Sequence, residues 1–138
     1  MTRIIAGEAR GRTIKVPAEG TRPTADRARE GLFSSLNARW GFAGSSVLDL
    51  FAGSGALGLE AASRGADEAV LVESSADAVK VIRHNMGVVK HPGVRVHEMK
   101  VDTYLASAPR KHFDLVLADP PYAFDEVEEL LAAIEPVL

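Results

Sequence analysis

Cysteine is absent from all 138 residues. Disulfides, thiolate metal sites and a cysteine nucleophile are excluded with it. No window approaches 18 consecutive apolar residues, so no segment reads as a membrane-spanning helix. The N-terminus lacks the apolar stretch of a secretory signal, which makes the cytoplasm the expected compartment. His84, His91, His97 and His112 lack the i, i+4 pairing or cysteine companions of a zinc site, and no metal is expected. Internal repeats and low-complexity segments are missing as well.

Net charge is also scarce, at −3, but it is unevenly spread. Residues 1–40 hold eight Lys/Arg against four Asp/Glu, a balance of +4, which leaves −7 for residues 41–138. A basic arm beside an acidic body localises a phosphate backbone on one face, although arginines that merely solvate a hairpin and a helix give the same count. With 46% hydrophobic residues the chain can bury one core.

What is present is an alternation of strand-like and helix-like segments. Arg3–Gly7 and Arg12–Val16 alternate around Gly11 and predict a small hairpin. After a loop over Pro17–Pro23, Thr24 can cap a helix from about Ala25 to Ala38, in which Ala28, Leu32 and Leu36 recur at helical spacing. Trp40 and Phe42 are expected in the core. Strands follow at 46–51, 69–73, 94–98 and 113–118, and helices at 55–64, 75–86, 102–107 and 125–134. Glu126, Glu128 and Glu129 read as a solvated face of the last helix. The pattern predicts an α/β fold whose mostly parallel sheet is covered on both faces, with ligands outside the carboxyl ends of its strands. Residues 1–42 form an N-terminal basic hairpin-helix appendage, and residues 43–138 form the body. Asp49, Glu73, Asp102 and Asp119 each fall near such a carboxyl end.

Two segments carry chemistry. The run Phe113–Ala118 empties into Asp119-Pro120-Pro121-Tyr122. The prolines hold φ at roughly −65° and donate no N–H, so the preceding carbonyls stay free and rigidly aimed. A carboxylate and a carbonyl can accept the two N–H groups of a planar amine while Tyr122 stacks on its ring. A plain Pro-Pro turn is the bland reading of the same residues. Upstream, Ser46–Phe51 leads into Ala52-Gly53-Ser54-Gly55-Ala56-Leu57-Gly58, where glycines let the backbone approach a ligand and a helix opens. Alone, this loop suits a dinucleotide equally well. Glu73, about 20 residues beyond Gly53, stands where an acid can hold a ribose diol, and that spacing fits both ligands. Asp49, four residues before Gly53, would repel a pyrophosphate but suits an α-amino group on a sulfonium cofactor. Asp102 can accept from an adenine amino group.

In this order the residues resemble the Rossmann-like S-adenosylmethionine-dependent methyltransferases, with Asp49–Gly55 similar to the cofactor loop and Asp119–Tyr122 to the motif of enzymes that methylate exocyclic amines. The N-terminal Arg3-Ile4-Ile5-Ala6-Gly7, Gly11-Arg12 and Arg22-Pro23-Thr24 through Phe33 resemble the bacterial 16S rRNA guanine-N2 methyltransferase family. The resemblance covers essentially the whole chain. It implies S-adenosylmethionine as cofactor, held by Gly53, Ser54 and Gly55 with Asp49, Glu73 and Asp102. It implies a guanine amine in 16S rRNA or the small ribosomal subunit as acceptor, with Asp119, Pro120, Pro121 and Tyr122 at the reaction. Arg3, Arg10, Arg12, Arg22 and Arg27 are the candidate RNA contacts, and a monomer is expected. Without cysteine, methylation through a covalent Cys adduct is disfavoured. The family sheet has seven strands, whereas this chain stops after the helix that follows the fourth, so C-terminal strands are expected to be missing. DNA adenine-N6 or protein glutamine methylation, a nicotinamide-dependent oxidoreductase and a non-catalytic RNA-binding remnant are the alternatives.

Overall fold

The computed structural model describes residues 2–16, 26–121 and 124–138. Two short strands, β1 (Thr2–Arg3) and β2 (Thr13–Ile14), pair antiparallel with Thr2 opposite Ile14. Helix α1 (Asp26–Arg39) precedes a repeating unit of β3 (Ser46–Leu50), α2 (Ala56–Ser63), β4 (Glu68–Glu73), α3 (Ala76–Val89), β5 (Val94–Glu98), α4 (Val101–Ser107), β6 (Leu115–Ala118) and α5 (Val127–Ile134). A 3₁₀ turn over Glu135–Val137 closes the chain. The four core strands pair parallel in the order β5-β4-β3-β6. This is the expected α/β fold; β3 and β4, inside the sheet, are largely buried runs because both faces of a parallel sheet are covered, while β5 alternates Val94-Arg95-Val96-His97.

Side-chain parity divides the core. Val47, Ala69 and Leu71 point to the face covered by α1, α2 and α3; Leu48, Leu50, Val70 and Val72 point to α4 and α5. Asp49 shares parity with Val47, so its carboxylate projects towards α2. The chain runs from β3 outward through β4 to β5, then returns to β6 on the other flank of β3. That reversal puts the crevice for a ligand at the carboxyl ends of β3 and β6. Both Asp49 and Asp119 lie there.

Three expectations fail, each for a tertiary reason. The hairpin pairs only two residues per strand, because Ile5, Ala6, Glu8 and Ala9 direct their N–H groups to α2 instead. Among the described side chains of α1 the buried ones are Arg29 and Phe33, with Leu36 half-buried, while Ala28 faces solvent and Leu32 is 42% exposed. Arg29 turns inward to reach an acid on α2, and Arg64 lies 5.3 Å over the Phe33 ring. Phe42 is buried against Phe33, but Trp40 stays 45% exposed, touching Phe42 edge-on. Element ends otherwise shift by up to three residues.

Candidate active site

The loop after β3 begins unusually. Phe51, which is not glycine, takes φ 58°, a conformation that costs a bulky side chain energy and that a ligand site characteristically retains. Its ring is held edge-on by Phe124 at 5.2 Å. Gly55 follows with φ 82°, a left-handed conformation that glycine adopts without strain, and starts α2 packed against the Leu71 side chain of β4. The Gly53 N–H donates to Glu73 Oε1 at 2.8 Å, and the Ser75 N–H to Glu73 Oε2 at 2.9 Å. Glu73 thus joins the loop to the end of β4, with a second lone pair left on each oxygen.

Asp49 is strongly perturbed. It is 1% exposed, and its Oδ2 accepts the Gly58 N–H at 2.9 Å, capping the first turn of α2 from β3. Its Oδ1 is buried and has no hydrogen-bond partner among the described residues. Burial pushes its carboxyl up to about 7; the Gly58 bond opposes this, and the charges of Asp119 and Glu73 add to it. Asp49 lies opposite Leu71 and Leu117, two residues before Glu73 and Asp119 on the flanking strands, so the fold gathers three of the four predicted rim acids at one end of the sheet. Asp102 is not brought into that group: it lies exposed in the first turn of α4, its Oδ1 accepting the Thr103 N–H.

Asp119 is half-buried after β6 and has a partner of its own, and the Phe124 N–H closes onto the Pro121 carbonyl at 2.9 Å. Tyr122, Arg22 and Thr24 lie outside the described residues, as does the side chain of Arg27. Arg3 and Arg10 are exposed on the arm. The Arg12 guanidinium donates to the Val88 and Val89 carbonyls at 3.1 Å each, closing the C-terminus of α3. Among the described residues no cluster of His, Asp and Glu could hold a metal, and no helix is long and apolar enough to cross a membrane.

Two buried polar residues escaped sequence reasoning. Glu60 interrupts the otherwise small and apolar α2, and Asn85 falls on the inward stripe of α3 with Ala78, Val79, Ile82 and Val89. Each could have been flagged as a lone polar residue on an apolar face.

A glycine loop at the switch point of a parallel sheet, flanked by acids ending β3 and β4 and by Asp-Pro-Pro after β6, defines a methyltransferase of Rossmann-like fold. The family described as Conserved hypothetical protein 95 matches residues 2–137, and the chain belongs to it. It is 40% identical to ribosomal RNA small subunit methyltransferase D of Escherichia coli over 96% of its length and 66% of that protein. The enzyme of the same name from Haemophilus influenzae is 35% identical over 96% of this chain and 69% of its own. A solved hypothetical protein from Thermus thermophilus superposes with TM-score 0.84 at 42% identity, covering 96% of this chain and 78% of that one. The chain thus spans about two thirds of the curated relatives it matches.

Proposed function

We propose that this chain belongs to an enzyme that transfers the methyl group of S-adenosylmethionine to the exocyclic N2 amine of a guanine in 16S rRNA, working in the cytoplasm as a monomer. The observation that carries this reading is the convergence of Asp49, Glu73 and Asp119 at the switch point, beside a glycine loop and a Pro-Pro corner. Two relatives named for small-subunit rRNA methylation support the acceptor.

The residues present suit the cofactor. Asp49 Oδ1, buried and without a donor among the described residues, asks for an ammonium group, and Gly53 and Gly55, at φ 58° and 82°, let the loop turn tightly after β3. Glu73 retains acceptor capacity for ribose hydroxyls, and Asp102 is assigned the adenine amine. Bound there, S-adenosylmethionine supplies an electrophilic methyl group. A guanine amine is a poor nucleophile because its lone pair is delocalised into the ring. Asp119 and the Pro120 carbonyl accept its N–H groups, restoring electron density to the nitrogen and aiming it. The nitrogen becomes acidic as it gains the methyl group, so Asp119 need not be a strong base. Tyr122 stacks on the base, which has to be unpaired to enter. Arg3 and Arg10, with Arg22 and Arg27, meet the phosphate backbone, and Arg12 adds what its bonds to α3 leave over.

The test is transfer of labelled methyl to unmethylated small subunits, naked 16S RNA and duplex DNA in parallel. Label recovered as N2-methylguanosine, and abolished by Asp119→Ala with cofactor affinity near wild type, is the expected result. Label only in DNA or in protein overturns the acceptor, and loss of cofactor affinity with Asp119→Ala reassigns that residue.

A further inference from the structure

Asn85 connects two segments that the chain keeps far apart. It sits on the inward stripe of α3 and is 0% exposed. Its Oδ1 accepts the Lys15 N–H at 2.8 Å, while Nδ2 donates to the Lys15 carbonyl at 2.8 Å and to the Ser54 carbonyl at 2.9 Å. The Lys15 N–H fixes which end of the amide is oxygen, and both N–H donors are then used. Lys15 directly follows β2 in the basic arm; Ser54 is the middle residue of the glycine loop.

The rest of the arm is docked independently of Asn85. Ile5 and Ala6 bond to Glu60, and the Ala9 N–H donates to Ser63 Oγ at 3.0 Å. Gly7, at φ 88°, comes so near α2 that a Cβ would lie 1.9 Å from the Ser63 carbonyl. The arm therefore has a seat of its own, and Asn85 bonds both to it and to the loop. If the arm lifts at Lys15, the carboxamide loses two of its three bonds and can rotate. The Ser54 carbonyl then loses its donor, between two glycines at φ 58° and 82° that offer little resistance to rearrangement.

We propose that Asn85 is a positioning residue that makes cofactor affinity depend on how the N-terminal arm is seated, so that RNA on the arm and S-adenosylmethionine in the loop strengthen each other's binding. The inference rests on the assignment of Gly53–Gly55 as the cofactor loop. Reciprocity follows from linkage: whatever holds Lys15 down favours the loop, and a filled loop holds Lys15 down by the same factor.

The test uses the full chain with Asn85→Ala and Asn85→Asp; the latter keeps the acceptor for Lys15 but lacks both donors. The KM for S-adenosylmethionine is expected to rise about tenfold, a usual size for coupling between sites, with kcat at saturation nearly unchanged. A merely structural loss would lower kcat through a smaller folded fraction and leave KM alone, which overturns the proposal. Hydrogen exchange in the wild type needs no variant. Adding S-adenosylhomocysteine is expected to slow exchange at the Lys15 amide several-fold and to leave the Ile4 amide, bonded to the Arg12 carbonyl, unchanged. Equal exchange at Lys15 with and without ligand defeats the coupling. Calorimetry separates the two ideas. No S-adenosylmethionine binding by wild type removes the loop assignment and this inference with it; normal binding by wild type and both variants removes only the inference.

Discussion

Helix α2 has a buried carboxylate at each end, and the two are treated oppositely. Near its C-terminal half Glu60, 0% exposed, accepts the Ile5 and Ala6 N–H groups at 2.9 and 3.1 Å and pairs with Arg64 at 2.9 Å and Arg29 at 3.6 Å. At the N-terminal turn Asp49 receives one N–H, keeps one oxygen without a partner among the described residues and faces two further acids. A buried charge that is fully partnered holds the fold together, here the arm, α1 and α2 at once. A buried charge left incomplete is a cost the fold bears until a ligand completes it.

Breaking the structural end has the largest expected effect. Glu60→Ala leaves the Arg64 Nε and two peptide N–H groups without their acceptor and removes the carboxylate beside the buried Arg29, so urea unfolding should show a loss of roughly 3–5 kcal/mol. A loss below about 1 kcal/mol would place Glu60 among ordinary helix charges. At the other end, Asp49→Asn should separate stability from function. The unfolded chain releases this proton near its ordinary 3.8 and the native protein only at about 7, so the native state binds more protons between those values. Native stability therefore falls as pH rises through that window and is lowest above it. Asp49→Asn removes the slope and should gain roughly 1–3 kcal/mol at pH 8, the relieved charge outweighing an unpaired amide N–H. The same variant should bind S-adenosylmethionine at least about tenfold more weakly, because a charge-assisted bond is lost. Wild-type binding should release close to one proton at pH 6, read by calorimetry in buffers of different ionisation enthalpy, and the variant should release none. Equal pH slopes for the two proteins would remove Asp49 from the comparison. The smallest effect belongs to Arg12→Ala, about 0.5–1.5 kcal/mol from two exposed carbonyl bonds. Unchanged RNA affinity in this variant would remove Arg12 from the RNA surface and leave it a structural role alone.

Much of the site was legible because its markers are local. Strand periodicity placed Asp49, Glu73 and Asp119 at strand ends, and parallel pairing brings such ends to one rim whatever the helices between them do. Asp102 had the same signature, but it falls in the first turn of α4, where its nearest donor is its own neighbour. The misreadings share one origin. Leu32 looked like the inward face of α1 because aliphatic spacing is visible, whereas the stripe that packs carries Arg29, whose partner Glu60 lies 31 positions away. The carbonyls that Arg12 meets, Val88 and Val89, are likewise more than 70 residues along, so its bonds to α3 were invisible to local spacing.

The sequence by itself determined the order of elements, the parallel sheet, the glycine loop and the ring of acids, because hydrophobic period, glycine and proline act within a few residues. Only the tertiary structure decided which polar groups are spent on the fold and which are left for chemistry. Asp49 and Glu60 are both acids beside one helix, and their difference lies in what the arm, α1 and β6 bring up against them.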